Sequence, residues 1–230
     1  MRRIYICSLL LLLVSTISYT QPERADIIEK KIKSVNKIVY QNGDTANKEL
    51  ILNYYSKTGD DSLEIYNGEL AFRFVPTVDQ NGRVSQLIRY DSRNREDEWH
   101  IYKYKRDGTY SIEKIAQGAG TILHSQYNKK NWCMEEEIES TYTLVYIRNV
   151  AGKTEKILLK DKGKTETIAQ FYFDKNRLPI RGEGTTEGGK TVYFTYNEKE
   201  LINKVTTIEK VEKGKEQTEV MLFEYEYYVD

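Results

Sequence analysis

A unit of sequence recurs in this chain after 23 residues, from position 171 to position 194. Each copy has two bulky residues at alternate positions, a four-residue polar turn and a leucine: Phe171, Phe173 and Leu178, then Phe194, Tyr196 and Leu201. Alternate side chains of a strand lie on the same face, so each copy predicts a β-hairpin with one aromatic face. Because a lone hairpin is only marginally stable in water, several neighbouring hairpins must share a buried face.

The alternation also predicts which aromatic residues face inward. The expected buried stripe consists of Phe171, Phe173, Phe194 and Tyr196. Tyr172 and Tyr193 take the opposite face and become candidates for binding, since exposed aromatic rings can stack on sugars or anchor a protein partner. The competing interpretation is that both faces are partly buried, or that tyrosine only supplies strand propensity.

Turn signals recur along the rest of the chain. Asn67-Gly68, Asn81-Gly82 and Asp107-Gly108 each lie between runs of alternating apolar residues, which is the strongest short-range signal for a hairpin. We therefore predict an all-β fold, an antiparallel meander of repeated β-hairpins with a dozen or more strands, which forms a single domain over residues 21–230. Helical spacing near Ile28 adds a short helix before Lys33, and a strand follows Val35.

Composition restricts the classes of partner. The chain has 230 residues, with 35 basic and 35 acidic side chains, so no basic excess favours nucleic acid. Tyrosine is unusually frequent, at 19 residues. Its ring packs while its hydroxyl reaches water, which suits a half-buried sheet.

The N-terminus has the pattern of a secretory signal peptide over residues 1–20. Arg2 and Arg3 precede an apolar run from Ile4 to Val14, and small or polar residues follow. The run is shorter than the roughly 20 residues that span a bilayer. We expect a secreted, periplasmic or cell-envelope protein with no membrane span after cleavage, rather than one with a retained anchor or a buried helix.

Two resemblances follow from short motifs. The segments YFDKNRL, from Tyr172, and FTYNEKELINKV, from Phe194, resemble the YD repeats of RHS-like secreted proteins of Bacteroidetes. The segment WHIYKYKRDGTYSIE, from Trp99, resembles a MORN-type variant repeat. Both families imply stacked β-hairpins, and neither implies a catalytic residue. In the YD-like copies, Arg177 and Glu200 stand where that family has a turn glycine.

The residue types that carry chemistry give no clear constellation. His100 and His124 are predicted to point to opposite faces, which disfavours a shared metal site. The spacing of Cys133 and His124 matches no nucleophilic mechanism. Cys133, next to Trp132, is expected to be a small, half-buried side chain. No metal, cofactor or catalytic residue is predicted.

Acidic residues offer two further patterns, both with simpler explanations. The cluster Glu135, Glu136, Glu137 and Glu139 could provide paired carboxylates for a glycoside hydrolase. Neighbours on a strand point to opposite faces, however, which favours a solvated edge. Asp79 with Asn81 and Gly82 suggests a calcium loop but lacks the further ligands.

The sequence thus predicts a non-catalytic β-repeat protein that binds a protein or glycan at the cell envelope. The candidates for its binding residues are Tyr172, Tyr193 and Trp99. A structural or assembly module whose sheet edges pair with another chain is the alternative, and a hydrolase is a distant third.

Overall fold

A computed structural model describes residues 22, 24–42, 44, 46–184, 190–210 and 216–229. These residues form one short helix, α1, at Arg24–Glu29, and sixteen strands. The strands are β1 Ile32–Gln41, β2 Glu49–Tyr55, β3 Asp61–Tyr66, β4 Glu69–Val78, β5 Val84–Asp91, β6 Glu96–Tyr104, β7 Tyr110–Ala116, β8 Gly120–Tyr127, β9 Cys133–Ile138, β10 Tyr142–Arg148, β11 Thr154–Asp161, β12 Lys164–Phe173, β13 Pro179–Gly184, β14 Lys190–Tyr196, β15 Ile202–Lys210 and β16 Glu216–Tyr227.

The strands close into one antiparallel barrel. Each strand pairs with the next along the chain, and β1 pairs with both β2 and β16, so that Val35 lies opposite Asn53 on one side and Tyr225 on the other. The all-β prediction is confirmed. The predicted antiparallel meander is present and is closed into a barrel, a closure that the sequence did not specify. Twist brings the first strand back to the last, and closure satisfies both edges.

The hairpin repeat builds one end of the barrel, which we call the turn end. Seven five-residue turns lie there among the described residues, and in each the backbone N–H of the first residue donates to the carbonyl of the fifth at 2.7–3.1 Å. The N–H of the fourth residue donates back to the first carbonyl at 2.9–3.2 Å. The first residues of the turns are Ser56, Asp79, Lys105, Asn128, Asn149, Asp174 and Asn197.

The fourth residue of these turns adopts a left-handed backbone conformation. Glycine takes that position in four of the turns, for example Gly152 at φ 80°. Arg177 at φ 64° and Glu200 at φ 58° adopt the same conformation without glycine's freedom. The turn geometry is therefore conserved across copies even where the glycine of the YD pattern is missing.

The predicted inward stripe is confirmed. Phe171 and Phe194 are buried, and their ring centroids lie 6.2 Å apart. Phe173 and Tyr196 are partly buried and pack against the same core. Gly182 is required opposite Phe171, because a Cβ there would lie 2.4 Å from the ring.

The interior holds two apolar clusters of different size. The larger lies between β1 and the strands from β10 to β16, and includes Ile157, Val205 and Met221. The smaller joins Leu87 on β5, Tyr102 on β6 and Ile112 on β7. Four tyrosines belong to the smaller cluster or pack against it: Tyr102, Tyr104, Tyr110 and Tyr127.

Helix α1 lies at the turn end, and its Ile27 is buried in the larger cluster. The helix predicted before Lys33 and the strand predicted after Val35 are both present, although β1 already begins at Ile32. The predicted signal peptide, residues 1–20, lies outside the described residues. Among the helices of the described part of the chain, none has the length and apolar character needed to cross a membrane.

Candidate functional site

The two tyrosines predicted to face outward do so, and they flank an arginine. Tyr172 on β12 pairs with Arg181 on β13, which pairs with Tyr193 on β14. The exposed fractions are 37% for Tyr172 and 43% for Tyr193. Three neighbouring strands thus present aromatic, cationic and aromatic side chains in one line across the outer surface.

Glu183 holds two members of this line, Tyr172 and Arg181. The Tyr172 hydroxyl donates to Glu183 Oε2 at 2.9 Å, and Arg181 Nη2 lies 3.2 Å from Glu183 Oε1. The Arg181 guanidinium also stacks over the Tyr172 ring, 4.5 Å from its centroid. We call Tyr172, Arg181, Glu183 and Tyr193 the outer aromatic row.

Trp99 lies on the outer face of β6, separated from this row by five strands of the barrel. Its indole N–H donates to Glu96 Oε2 at 3.2 Å. Its cross-strand neighbours are Ile88 and Ile115. The barrel therefore brings Tyr172 and Tyr193 together but not Trp99.

A buried ionic group lies on the inner face of β5 and β6. His100 Nε2 donates to Glu98 Oε1 at 2.5 Å, and both residues are at most 5% exposed. Arg89 Nη2 lies 3.3 Å from the other oxygen of Glu98 and also donates to Asp97. Glu98 therefore has a partner for each carboxylate oxygen.

The surroundings shift the pKa values of this pair. Burial raises the pKa of Glu98, but the His100 hydrogen bond and the positive charges of Lys114 and Arg89 outweigh it, so the net pKa is lowered. Burial is the main cause of the lowered pKa of His100. Lys114 lowers it further, against the opposing effect of Glu98. The pair is built to hold an ionised Glu98 and a neutral His100.

The other titratable residues singled out from the sequence are separated by the sheet. His124 points to the outer face, 4.0 Å from Glu137, while His100 faces inward, as predicted. Cys133 is partly buried against the inner core, so it lies on the face opposite His124. Within the described residues, no three His, Cys, Asp or Glu side chains are placed to hold a metal ion.

The acidic cluster is not a solvated edge, which corrects that prediction. β9 pairs with both β8 and β10, so it has no free edge. Glu135 faces outward to Lys160 at 2.8 Å. Glu136 faces inward and accepts hydrogen bonds from Ser125 and Tyr146. Asp79 has a structural role in its turn: its carboxylate accepts hydrogen bonds from the N–H groups of that turn and from Arg83.

A second buried ion pair joins helix α1 to the turn end. Arg24 Nη1 lies 2.5 Å from Asp60 Oδ1, and Tyr102 Oη donates to the same oxygen at 2.9 Å. Asp60 is 3% exposed. The Arg24 guanidinium lies 5.5 Å and 5.7 Å from the ring centroids of Tyr102 and Tyr110. Arg24 thus holds the helix in an aromatic and acidic pocket.

Sequence reasoning missed both ionic groups. Glu98 and His100 alternate on one strand, and this spacing could have placed them on one face. Arg24 and Asp60 are 36 residues apart, and no local pattern connects them.

Comparison with known proteins identifies no family. No protein-family model matches this sequence, and no curated protein matches it. A porin-like protein from Bacteroides uniformis is 9% identical, with 85% of this chain and 98% of that chain covered at a TM-score of 0.42. A LolA superfamily protein from Nitrosomonas europaea is 12% identical, with 90% and 91% covered at a TM-score of 0.33.

A third solved structure, the Tc holotoxin pore of Photorhabdus luminescens, is 8% identical, with 78% of this chain and 14% of that chain covered at a TM-score of 0.30. All three TM-scores are below 0.5. The resemblance to YD and MORN-type repeats stays a prediction from the motifs.

Proposed function

We propose that this chain is an exported, non-catalytic β-barrel protein of the cell envelope that binds a partner through the outer aromatic row. The observation that carries the proposal is the arrangement of Tyr172, Arg181 and Tyr193 on three adjacent strands, with Tyr172 and Arg181 held by Glu183. Tyrosine and arginine are enriched at the energetic centres of protein interfaces. Their placement on strands limits the entropy lost on binding.

A protein is the favoured partner, and a glycan is the second candidate. The stacked Arg181 covers part of the Tyr172 ring, which leaves less aromatic surface for a sugar. The ion pair between Arg181 and Glu183 can exchange partners with charged side chains across an interface. A glycan would depend mainly on Tyr193, the more exposed ring.

The assembly alternative based on free sheet edges loses its physical basis in a closed barrel. Each of the sixteen described strands has two neighbours, so no strand within the barrel offers unpaired backbone groups for another chain. The distant hydrolase alternative depended on the cluster Glu135, Glu136, Glu137 and Glu139. Glu136 faces inward, away from its neighbours, and the outward Glu135 and Glu137 lie beside Lys160 and His124.

An envelope location is supported by the signal-like segment at residues 1–20. Charged pairs on the outer face, Lys103 with Glu113 and Lys160 with Glu135, support contact of that face with water rather than lipid. Mass spectrometry of the protein from its host tests export, which is refuted if the cytoplasmic protein retains residues 1–20.

The binding proposal is tested by capture from envelope extract and on a glycan array, with wild type and Tyr193→Ala. The matched control is Ile147→Ala, which removes an outer apolar side chain of similar exposure, 39%, on β10. We expect Tyr193→Ala to lose a partner that the control retains, with both melting curves near wild type. Equal capture by both variants would refute the role of the row, and loss of array binding alone would favour a glycan.

A further inference from the structure

A trough on the outer face, distinct from the aromatic row, follows strand β1. Its floor is formed by Ser34 and Asn36, and Ser34 is only 2% exposed although it points outward. One wall is acidic and lies on β16. The other wall is apolar and lies on β2 and β3. The cavity has a volume of about 330 Å³, and its wall residues are Glu224 and Glu226 on one side and Leu50, Leu52 and Ile65 on the other.

The trough arises from side-chain size and from an irregularity in β1. Ser34 lies opposite Glu226, and Asn36 lies between Glu224 and Leu52. Small polar residues on β1 thus lie between longer side chains on both neighbouring strands. The register of β1 against β16 shifts between Ile32 and Ser34, and such bulges bend a strand and increase its twist.

The floor residues position the two carboxylates. Ser34 Oγ donates to Glu226 Oε2 at 3.1 Å, and Asn36 Nδ2 donates to Glu224 Oε2 at 3.0 Å. Lys33 lies 3.5 Å from Glu226, but both side chains are largely exposed, so this ion pair is weak and exchangeable. A carboxylate has about four acceptor sites, so both glutamates can accept further hydrogen bonds.

We propose that this trough binds an extended peptide segment in which lysine or arginine alternates with apolar residues. Glu224 and Glu226 are two residues apart on one strand, so their Cα atoms are about 7 Å apart. Basic side chains at alternate positions of an extended peptide have the same spacing. The intervening apolar side chains would then meet Leu50, Leu52 and Ile65 on the opposite wall.

Charge complementarity selects this occupant over an acidic or a purely apolar one. An acidic segment would face two carboxylates, and an uncharged apolar segment would leave them partly desolvated without a partner. The proposal does not depend on the outer aromatic row, which lies on β12 to β14.

The binding test uses fluorescence anisotropy with a labelled pentapeptide of alternating lysine and leucine. Peptides with glutamate in place of lysine, and with the same residues in blocks, serve as ligand controls. The protein variant is Glu224→Gln with Glu226→Gln. The matched control is Glu135→Gln with Glu137→Gln, a second outward pair at the same spacing on β9.

We expect the variant at the trough to bind the alternating peptide about 2- to 30-fold more weakly, as loss of two exposed ion pairs implies, and the control variant to bind like wild type. Higher ionic strength should weaken wild-type binding. Leu52→Asn should also weaken it, which separates the apolar wall from the charge effect. Melting curves of all variants confirm folding.

Several results would overturn the proposal. Equal affinity of both glutamine variants would show that the peptide does not use the trough. Equal affinity for the alternating and block peptides would show that binding does not depend on the spacing of the lysine residues. A concentration-dependent dimer lost only in the trough variant, with no peptide binding, would assign the trough to a second copy instead. Tyr193→Ala should leave the affinity for the peptide unchanged. A failure of the trough proposal is therefore distinguishable from a failure of partner binding at the outer aromatic row.

Discussion

The first hairpin of the repeat and the two regular C-terminal hairpins occupy equivalent positions with opposite chemistry. Three residues before the turn, the later copies have Phe171 and Phe194, whereas the first has Asn53. At the last turn position they have Leu178 and Leu201, whereas the first has Asp60. All of these residues are buried.

The difference shows that the same hairpin backbone can carry either apolar or polar side chains at its inward-facing positions. In the regular copies the inner positions form the apolar core around Met221 and Val205. In the first copy Asp60 binds Arg24 and thereby anchors α1 at the turn end. The departure from the repeat at Asp60 thus marks a position where the barrel makes a specific polar contact.

The largest expected effect on stability comes from a substitution in the apolar core that the regular C-terminal hairpins form. Phe194→Ala should lower the free energy of unfolding by about 3–5 kcal/mol, because it removes a buried ring from the larger cluster. Urea unfolding measures the change. The adjacent outward change Tyr193→Ala should cost less than about 1 kcal/mol. If Tyr193→Ala is the more damaging, the two faces have been assigned in reverse.

The next effect comes from converting the first hairpin to the regular pattern. Asp60→Leu should cost about 3 kcal/mol, because it leaves the Arg24 guanidinium in its pocket without its carboxylate. Adding Arg24→Leu should recover much of the loss, since both charges are then absent. Chemical denaturation of the single and double variants gives the coupling free energy. Additive losses would mean that the two residues do not act as a pair.

The buried pair Glu98 and His100 predicts a smaller, pH-dependent effect. With a lowered pKa, His100 binds fewer protons when folded than when unfolded. Its contribution is therefore complete above the unfolded pKa of about 6.5 and declines as pH falls towards the folded value. Glu98, with its own pKa lowered, contributes stability that is lost at still lower pH. Both groups make acid destabilising.

Stability measured between about pH 7 and pH 5 tests this effect. His100→Gln should reduce the slope of the free energy of unfolding against pH by at most about 1.4 kcal/mol per pH unit, the limit for one proton. His124→Gln, on the outer face, should leave the curve as in wild type. The inner charges near His100 come from Glu98, Arg89, Lys114 and Asp61, and they are unchanged in both variants. Identical slopes for wild type and His100→Gln would refute the assignment.

The smallest expected effect concerns the turns themselves. Glu200→Gly should raise the free energy of unfolding by about 0.5–1 kcal/mol, because glycine relieves the left-handed strain but adds entropy to the unfolded chain. The exposed neighbour Lys199→Gly, where φ is not positive, should be neutral or destabilising. Thermal melts of wild type and the two variants test this prediction. A melting temperature of Glu200→Gly below that of wild type would contradict it.

The hairpin order and the two faces could be predicted from sequence because both depend on local signals. Turn dipeptides such as Asn67-Gly68 fix neighbouring strands, and the alternation around Phe194 fixes the inner side. Closure could not be predicted, since no local signal specifies that Val35 pairs with Tyr225. The trough at Ser34 could not be predicted either, because it depends on the sizes of side chains from strands far apart in sequence.

Pairing of β1 with β16 has a consequence for how the barrel folds. Adjacent strands pair over short loops, whereas Val39 and Met221 meet across nearly the whole chain. Loop-closure entropy makes such distant contacts slow to form, so the hairpins should assemble first and this seam should close last. Pulsed hydrogen exchange during refolding should protect the amides of β10–β15 before those amides of β1 that bond to β16. Until the seam closes, both strands expose unpaired backbone groups, and at high protein concentration exchange of β16 between two chains would give a swapped dimer.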